Sequence, residues 1–312
     1  MDVIHFPDTP RPAGWRSPVL ALGNFDGLHR GHVKIIERIQ RGAGERGGTS
    51  VVLTFDPHPP RILRPDKAPP LLMTKAQKLD ALARAGVQGA AVVRFTREMS
   101  QWEPEAFVRT VLVEWLHVAE VWVGADFLFG RDRSGNFTLL RSLAAQYGFR
   151  AEKIDPIRYK DFIVSSTRIR RLVAEGRVDE AGALLGHHYA IEGTIVEGAR
   201  RGREIGFPTA NLSTDNELVP PHGVYATAMS FDGRLYPGVT NIGQRPTLGD
   251  ALATTIETHL IHERMDLYGR RVRLAFIQRL RDERKFPDIE ALQEQIAADV
   301  RRARRLFDRL SV

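Results

Sequence analysis

The sequence predicts two folds in series: an α/β domain built on a parallel sheet, then an antiparallel β-barrel domain with a C-terminal helix. Three observations predict this. In the first half, short β-branched runs alternate with segments of helical period, as in a parallel sheet covered by helices on both faces. Near residue 188 this alternation gives way to closely spaced short strands separated by turn signals, as in a barrel. The last stretch carries apolar residues at helical spacing. A length of 312 residues suits two domains of roughly 100–200 residues each.

SPVLAL (17–22) is a short apolar run suited to a buried strand. GNFDGLHRGH (23–32) follows as a connection, and Val33, Ile35, Ile36 and Ile39 then recur at helical spacing until glycines stop the helix. SVVLTFDPHP (50–59) is a β-branched strand running into a proline turn, which completes a β-α-β unit. Residues 75–85 read as a helix, 89–95 as a strand, 104–116 as a helix and 119–127 as a strand ending in the loop GADFLFG. A further helix follows a Ser134 cap and ends at Gly148. Residues 167–185 read as one or two helices ending at Gly186. Beyond them YAIEGTIVEG, GVYATAMS, RLYPGVTNIG, TIETHLI and VRLAFIQRL are short strands, and Asp232-Gly233 is a hairpin-turn signal. Ile289, Leu292, Ile296, Val300, Ala303 and Phe307 give the final helix a face to pack on the barrel. The boundary falls at Leu185–His188, giving domains 1–186 and 187–312.

Composition narrows the chemistry. The chain has no cysteine, which excludes disulfides, thiolate metal sites and a cysteine nucleophile. Its N-terminus lacks a basic segment followed by an apolar one, and no run reaches the roughly 18–20 apolar residues of a membrane span. The expected location is the cytoplasm, with no membrane partner. The formal charge of +7 fits a solvated basic surface; nucleotide phosphates or nucleic acid would also use it.

In an open parallel sheet, ligands bind beyond the carboxyl ends of the strands. Three loops gather there: GNFDGLHRGH, FDPHP and GADFLFG. His29 and His32 lie three apart near a helix start, which fits a plain turn, a metal site with Asp26, or a phosphate cradle. The cradle uses the free N–H groups and positive dipole of a helix N-terminus, and Gly31 lets a ligand approach the backbone. In the second half, Pro208 fixes the backbone beside Thr209 and Asn211. Their oxygens suit Mg²⁺ held mainly through substrate phosphates; the same residues would also make a Pro-Thr turn with Asn211 bonding its own backbone. The stretch EGARRGREIG, with Gly198, Gly202 and Arg203, fits a phosphate-covering loop and a solvated hairpin tip equally. Glu257 lies on the opposite strand face from Ile256, Thr258 and Leu260.

These motifs resemble a known family. GNFDGLHRGH is similar to the G-x-F-D-x-x-H-x-G-H signature of nucleotidylyltransferases, and Ser165-Ser166-Thr167-Arg168-Ile169-Arg170 to their second signature. Ser166 or Thr167 would also cap the helix that follows. TFDPHP, VGADFLFG, GFPTAN, the IET of Glu257, DLYG and RLRDERKF extend the resemblance over nearly the whole chain, to the bacterial bifunctional riboflavin kinase/FMN adenylyltransferases. The resemblance implies a Rossmann-like adenylyltransferase domain and a riboflavin kinase barrel. It implies ATP, riboflavin and FMN as substrates, FAD as product, and Mg²⁺.

In the first domain it assigns His29 and His32 to the transferring phosphate. It assigns Gly23, Phe25, Asp26, Gly27, Ser165, Ser166, Thr167 and Arg168 to ATP, with Asp26 and Gly27 on the adenosine side and Ser166 and Arg168 on the leaving phosphates. Pro57, His58, Asp126 and Phe127 are assigned to the flavin, although Phe127 also fits a core position. In the second domain it assigns Thr209 and Asn211 to Mg²⁺. Gly198, Gly202, Arg203 and Pro208 join them around ATP, Glu257 is the base for the riboflavin 5′-hydroxyl, and Arg281 and Phe286 close over the flavin. The partners expected are small molecules and no nucleic acid; no motif encodes an oligomeric state. The alternative function is one catalytic half joined to a flavin-binding regulatory half.

Overall fold

A computed structural model describes residues 1–198, 202, 205–247, 249–261, 263 and 265–310, with side chains except at 245–253 and 310. The chain divides into two compact units, residues 1–70 with 75–165, and residues 71–74 with 166–312.

The first unit is a six-stranded sheet of β1 (Asp2–Phe6), β2 (Val19–Leu22), β3 (Ser50–Phe55), β4 (Gly89–Val93), β5 (Glu120–Gly124) and β6 (Arg150–Ile154). The spatial order is β1-β4-β3-β2-β5-β6, and every neighbouring pair is parallel. All four residues of β2 and the first five of β3 are buried, as continuous apolar runs in a doubly covered sheet require. From β2 the chain builds outward through β3 and β4 on one side and through β5 and β6 on the other. The reversal point therefore lies between β2 and β5, and the loops after both strands open at the same carboxyl end.

Helix α1 (Arg30–Arg46) buries Ile35, Ile36, Ile39 and Ala43 and ends on left-handed Gly47. It is followed by α2 (Pro59–Leu63), α3 (Lys75–Arg84) and α4 (Pro104–Phe107), which runs into a π-helical segment, Val108–Trp115.

Strand β6 was not among the expected elements, and three further details of the first unit depart from the sequence reading. Strand β1 was not expected; it joins the sheet edge beside β4, burying Ile4 and exposing Val3. Helix α5 (Phe137–Tyr147) is capped by Asn136, whose side chain accepts from the Leu139 N–H, while Ser134 donates to the Arg131 carbonyl. A two-stranded hairpin, β7 (Arg158–Tyr159) and β8 (Phe162–Ile163), precedes the SSTRIR segment.

The second unit opens with α6 (Ser166–Ala174) and α7 (Val178–Leu185), closed by left-handed Gly186. Ser166 and Thr167 are thus the first two residues of α6, one and two positions past its N-cap. A closed antiparallel barrel follows: β9 (Tyr189–Val196), β10 (Ala210–Thr214), β11 (Gly223–Phe231), β12 (Arg234–Thr247), β13 (Gly249–Leu260) and β14 (Arg271–Arg281). Its order is β10-β13-β12-β11-β14-β9. Asp232 and Gly233 take φ of 47° and 72° between β11 and β12, the two positive values that a tight hairpin with the native twist needs. Inside the barrel, the hydroxyls of Thr227, Thr240 and Thr258 form a chain with links of 2.7 and 2.8 Å, so each buried polar group is satisfied. Helix α8 (Ile289–Leu310) packs Val300, Ala303 and Phe307 against Val224, Val239 and Ile277 of the barrel; Ile289 at its start is exposed.

Candidate active sites

The loop from β2 to α1 is tightly wound. Phe25, Gly27 and Leu28 have φ of 49°, 88° and 40°. Glycine takes this region freely; Phe25 and Leu28 are held there by burial, at 1% and 7% exposure. Strand β3 ties the loop down twice. The Gly23 N–H donates to the Leu53 carbonyl at 3.1 Å, and the Thr54 hydroxyl donates to the Asn24 carbonyl at 3.0 Å.

His29 is the N-cap of α1, and its Nδ1 accepts from the His32 N–H at 3.3 Å. A neutral imidazole accepting at Nδ1 carries its proton on Nε2, which makes that edge a donor. The His29 and His32 rings stack at 3.6 Å and 13°, and Phe25 lies 4.9 Å from His32. Near-parallel rings offer neighbouring donors along one face of a helix N-terminus. Gly31 has a different use from the expected one: a Cβ there would lie 3.1 Å from Cε1 and Nδ1 of His29, so the room it leaves is filled by the His29 ring.

The other two loops of this unit flank the same end of the sheet. His58 is buried and Pro57 half-buried at the start of α2. Asp126 is exposed, and Phe127 stacks on Phe129 at 5.3 Å while packing against the core. Both border a cavity of about 460 Å³ together with Arg133, Phe137 and Lys153, so Phe127 serves core and cavity at once. Ser165 closes the first unit; Ser166, Thr167 and Arg168 open α6 in the second.

In the barrel, register assembles the site. Asn211 of β10 and Asn241 of β12 both pair directly with Glu257 of β13. Directly paired residues share a sheet face, with Cβ atoms about 5 Å apart. Ile256, Thr258 and Leu260 are buried, whereas Thr255, Glu257 and His259 are half-buried. The row Asn211–Glu257–Asn241 therefore lies on the outer face. The glycines upstream make room for it. A Cβ on Gly198 would lie 2.2 Å from Asn211 Nδ2, and one on Gly202 would lie 2.4 Å from the Phe207 carbonyl oxygen. Arg203 lies outside the described residues.

Sequence reasoning missed His259. Its Nδ1 donates to the Pro208 carbonyl at 2.9 Å, and its ring meets Phe207 edge-on at 5.3 Å. It thus anchors the turn that carries Thr209. The signal was the shared strand face with Glu257. Asn241 was also passed over, within NIGQRPTLG. In the first unit Lys78, buried on α3, escaped notice because its neighbours in sequence look like an ordinary surface helix.

Phe286 borders a cavity of about 830 Å³ with Arg284, Lys285, Gln295 and Arg301. Arg281 lies outside that lining. Its Nε donates to Asp299 of α8 at 2.9 Å, and its guanidinium stands 5.6 Å from the Phe286 ring. Its carboxylate partner holds it as a brace behind the phenylalanine. Among the described residues no group of three or more His, Asp or Glu side chains could hold a metal ion. Thr209 and Asn211 are half-buried oxygen donors, and the Asn211 amide lies in the room that Gly198 leaves. They fit Mg²⁺ that takes its remaining ligands from water and phosphate.

A nucleotide-type crevice at the reversal point of a parallel sheet, joined to a barrel bearing a carboxylate between two amides, defines a two-part nucleotide-dependent transferase. Residues 12–168 match the FAD synthetase family, and residues 185–307 match the riboflavin kinase family. The chain is 38% identical to the bifunctional riboflavin kinase/FMN adenylyltransferase of Escherichia coli K12, over 93% of this chain and 92% of that one. It is 36% identical to the protein of the same name from Listeria monocytogenes, over 98% of each. A crystal structure described as a macrolide-efflux protein from Streptococcus pneumoniae superposes with a TM-score of 0.88 at 28% identity, over 97% of this chain and 99% of that one. The chain belongs to the bifunctional riboflavin kinase/FMN adenylyltransferase family. It is an enzyme of flavin cofactor synthesis, with a FAD synthetase domain and a riboflavin kinase domain acting on flavin and ATP. Among the described residues no helix is long and apolar enough to cross a membrane.

Proposed function

We propose that both sites are catalytic and act in series, with residues 187–312 converting riboflavin to FMN and residues 1–186 converting FMN to FAD. In the first step Glu257 orients the riboflavin 5′-hydroxyl and accepts its proton. The oxygen attacks the γ-phosphorus of ATP, the bond from that phosphorus to the β-phosphate oxygen breaks, and ADP leaves. Thr209 and Asn211 hold Mg²⁺, which neutralises charge on the phosphates when bound. Gly198, Gly202, Arg203 and Pro208 shape the loop over ATP, His259 positions Thr209, and Phe286 borders the flavin. The observation that carries this reading is the direct pairing of Asn211 with Glu257, which sets base and metal ligand side by side.

In the second step a phosphate oxygen of FMN attacks the α-phosphorus of ATP, and pyrophosphate leaves. His29 and His32 donate to the transferring phosphate at the N-terminus of α1. Gly23, Phe25, Asp26 and Gly27 form the nucleotide side. Ser165, Ser166, Thr167 and Arg168 supply the second set of phosphate contacts, an assignment resting on the family signature. Pro57, His58, Asp126 and Phe127 take the flavin. In this reading the stacked histidines contact phosphate rather than metal, which the bond from the His32 N–H to His29 Nδ1 supports. The partners are small molecules and the site of action the cytoplasm.

The test is incubation of the purified protein with riboflavin, ATP and Mg²⁺, then separation of the three flavins. FMN forms first and FAD follows, and a chelator stops FMN formation. FMN accumulating without FAD, even when FMN is supplied, would support the reading with one regulatory half.

A further inference from the structure

One glycine on the barrel wall is there for room. Gly243 lies inside β12, in register with Thr255 of β13, and no left-handed backbone asks for glycine at this position. A glycine within a strand weakens it and marks a close approach. Here a carboxylate makes the approach. A Cβ on Gly243 would lie 2.5 Å from Oε1 of Glu283 and 3.2 Å from Nδ2 of Asn241. Gly243 is buried although it follows Asn241 on the same strand face, and Glu283 covers it.

Glu283 belongs to the segment between β14 and α8, and that segment is fastened on both sides of it. Arg279 pairs with Asp282 at 3.1 Å, Arg281 pairs with Asp299 at 2.9 Å, and Arg284 donates to the Gln295 side chain. Among the described residues no such bond engages the Glu283 carboxylate. Its neighbours hold it in place, and its own oxygens stay open. On the sheet, Glu257 pairs directly with Asn241, so Gly243 is its diagonal neighbour; such neighbours stand about 7–8 Å apart. Three residues after Glu283 the same segment reaches Phe286 and the cavity of about 830 Å³. It thus links that cavity to the face that carries Glu257.

An open carboxylate beside an amide suits hydroxyl groups, since the one accepts and the other donates. Riboflavin carries secondary hydroxyls along the ribityl chain between its ring and its 5′-hydroxyl. We propose that Glu283 is a specificity-determining residue of riboflavin phosphorylation: it accepts a hydrogen bond from a secondary hydroxyl of the ribityl chain while Glu257 takes the terminal one. This rests on reading Glu257 as the base. A site built to bond a substrate hydroxyl rejects the analogue that lacks it, and a carboxylate is a stronger acceptor than a neutral oxygen.

The experiment measures FMN formation from riboflavin and from its 2′-, 3′- and 4′-deoxy analogues, with FAD formation from supplied FMN as internal control. Glu283→Ala raises the KM for riboflavin about tenfold, as loss of one hydrogen bond to a charged group predicts. The KM for ATP and FAD formation stay at wild-type values. Glu283→Gln keeps one acceptor oxygen and falls between the two. On one of the deoxy analogues wild type and Glu283→Ala become equal, because the hydroxyl that told them apart is gone; a residue that merely braces the segment would cost the same on every substrate. Gly243→Ala, whose Cβ takes the place of the carboxylate, gives a similar rise, and the two rises do not add in the double variant. A wild-type riboflavin KM in Glu283→Ala, or the same tenfold gap on all three analogues, overturns the inference. Glu257→Ala separates the two claims. If it leaves FMN formation intact, the reading of that face as the kinase site fails; if it abolishes FMN formation while Glu283→Ala is silent, only the inference about Glu283 fails.

Discussion

Replacing Gly31 by alanine separates catalysis from folding at the helix that carries both histidines. The new Cβ would stand 3.1 Å from Cε1 and from Nδ1 of His29, whereas carbon contacts relax to about 3.5 Å or more. The imidazole must therefore shift by roughly 0.4 Å. A misplacement of 1 Å in a reacting group costs about a hundredfold in rate, so a shift of this size predicts a loss of about sixfold to tenfold, near 1 kcal/mol. The backbone effect runs the other way. Gly31 lies in the first turn of α1, and alanine in a helix is favoured over glycine by up to about 1 kcal/mol. Steady-state kinetics of FAD formation and a thermal melt of the same variant give the two numbers. The expected outcome is lower kcat/KM for FAD formation, unchanged riboflavin phosphorylation and unchanged or higher Tm. Wild-type kcat/KM in a folded Gly31→Ala variant would refute the argument that the glycine exists to seat His29.

Three further outcomes follow from the barrel. His259→Ala frees the Pro208 carbonyl from its 2.9 Å bond; the KM for Mg·ATP in riboflavin phosphorylation should rise about tenfold, while FAD formation from supplied FMN is unaffected. Thr240→Val removes both links of the buried hydroxyl chain and should destabilise the barrel by about 1–3 kcal/mol in denaturant unfolding; an unchanged midpoint would mean the chain contributes nothing. Burial pushes the Tyr225 hydroxyl up to about 12 from 10.0. The folded state keeps a proton that the unfolded chain releases, so this contribution to stability is fully present below pH 10.0 and is lost as pH rises toward about 12. Tyr225→Phe should flatten that alkaline decline, and an identical pH profile in both proteins would contradict it.

Much of the architecture was legible because each half obeys one period. Val19–Leu22 is a continuous apolar run and Val51–Leu53 another, as a doubly covered sheet buries, and Asp232-Gly233 announces its hairpin through conformational preference alone. The site was legible where residues are close in sequence, as in His29 with His32. It was hidden where long-range register makes the contact. Nothing local ties Asn241 to Glu257 or His259 to Pro208; strand pairing and one turn bring them together. Strand β1 was missed because an edge strand with one buried residue, followed by Pro7, carries little alternation. Lys78 was missed because a charged residue in a polar helix looks solvated until the helix packs. The Asp299 partner of Arg281 was equally hidden, because it arrives from a helix near the C-terminus.

The central claim is that one chain holds two separate catalytic sites, one around His29 and His32 and one around Glu257. The most direct measurement assays both half-reactions in His29→Ala and in Glu257→Ala, supplying riboflavin or FMN separately with ATP and Mg²⁺. His29→Ala should lose FAD formation and keep FMN formation, and Glu257→Ala should lose FMN formation while still turning supplied FMN into FAD. Equal loss of both activities in each variant would contradict it.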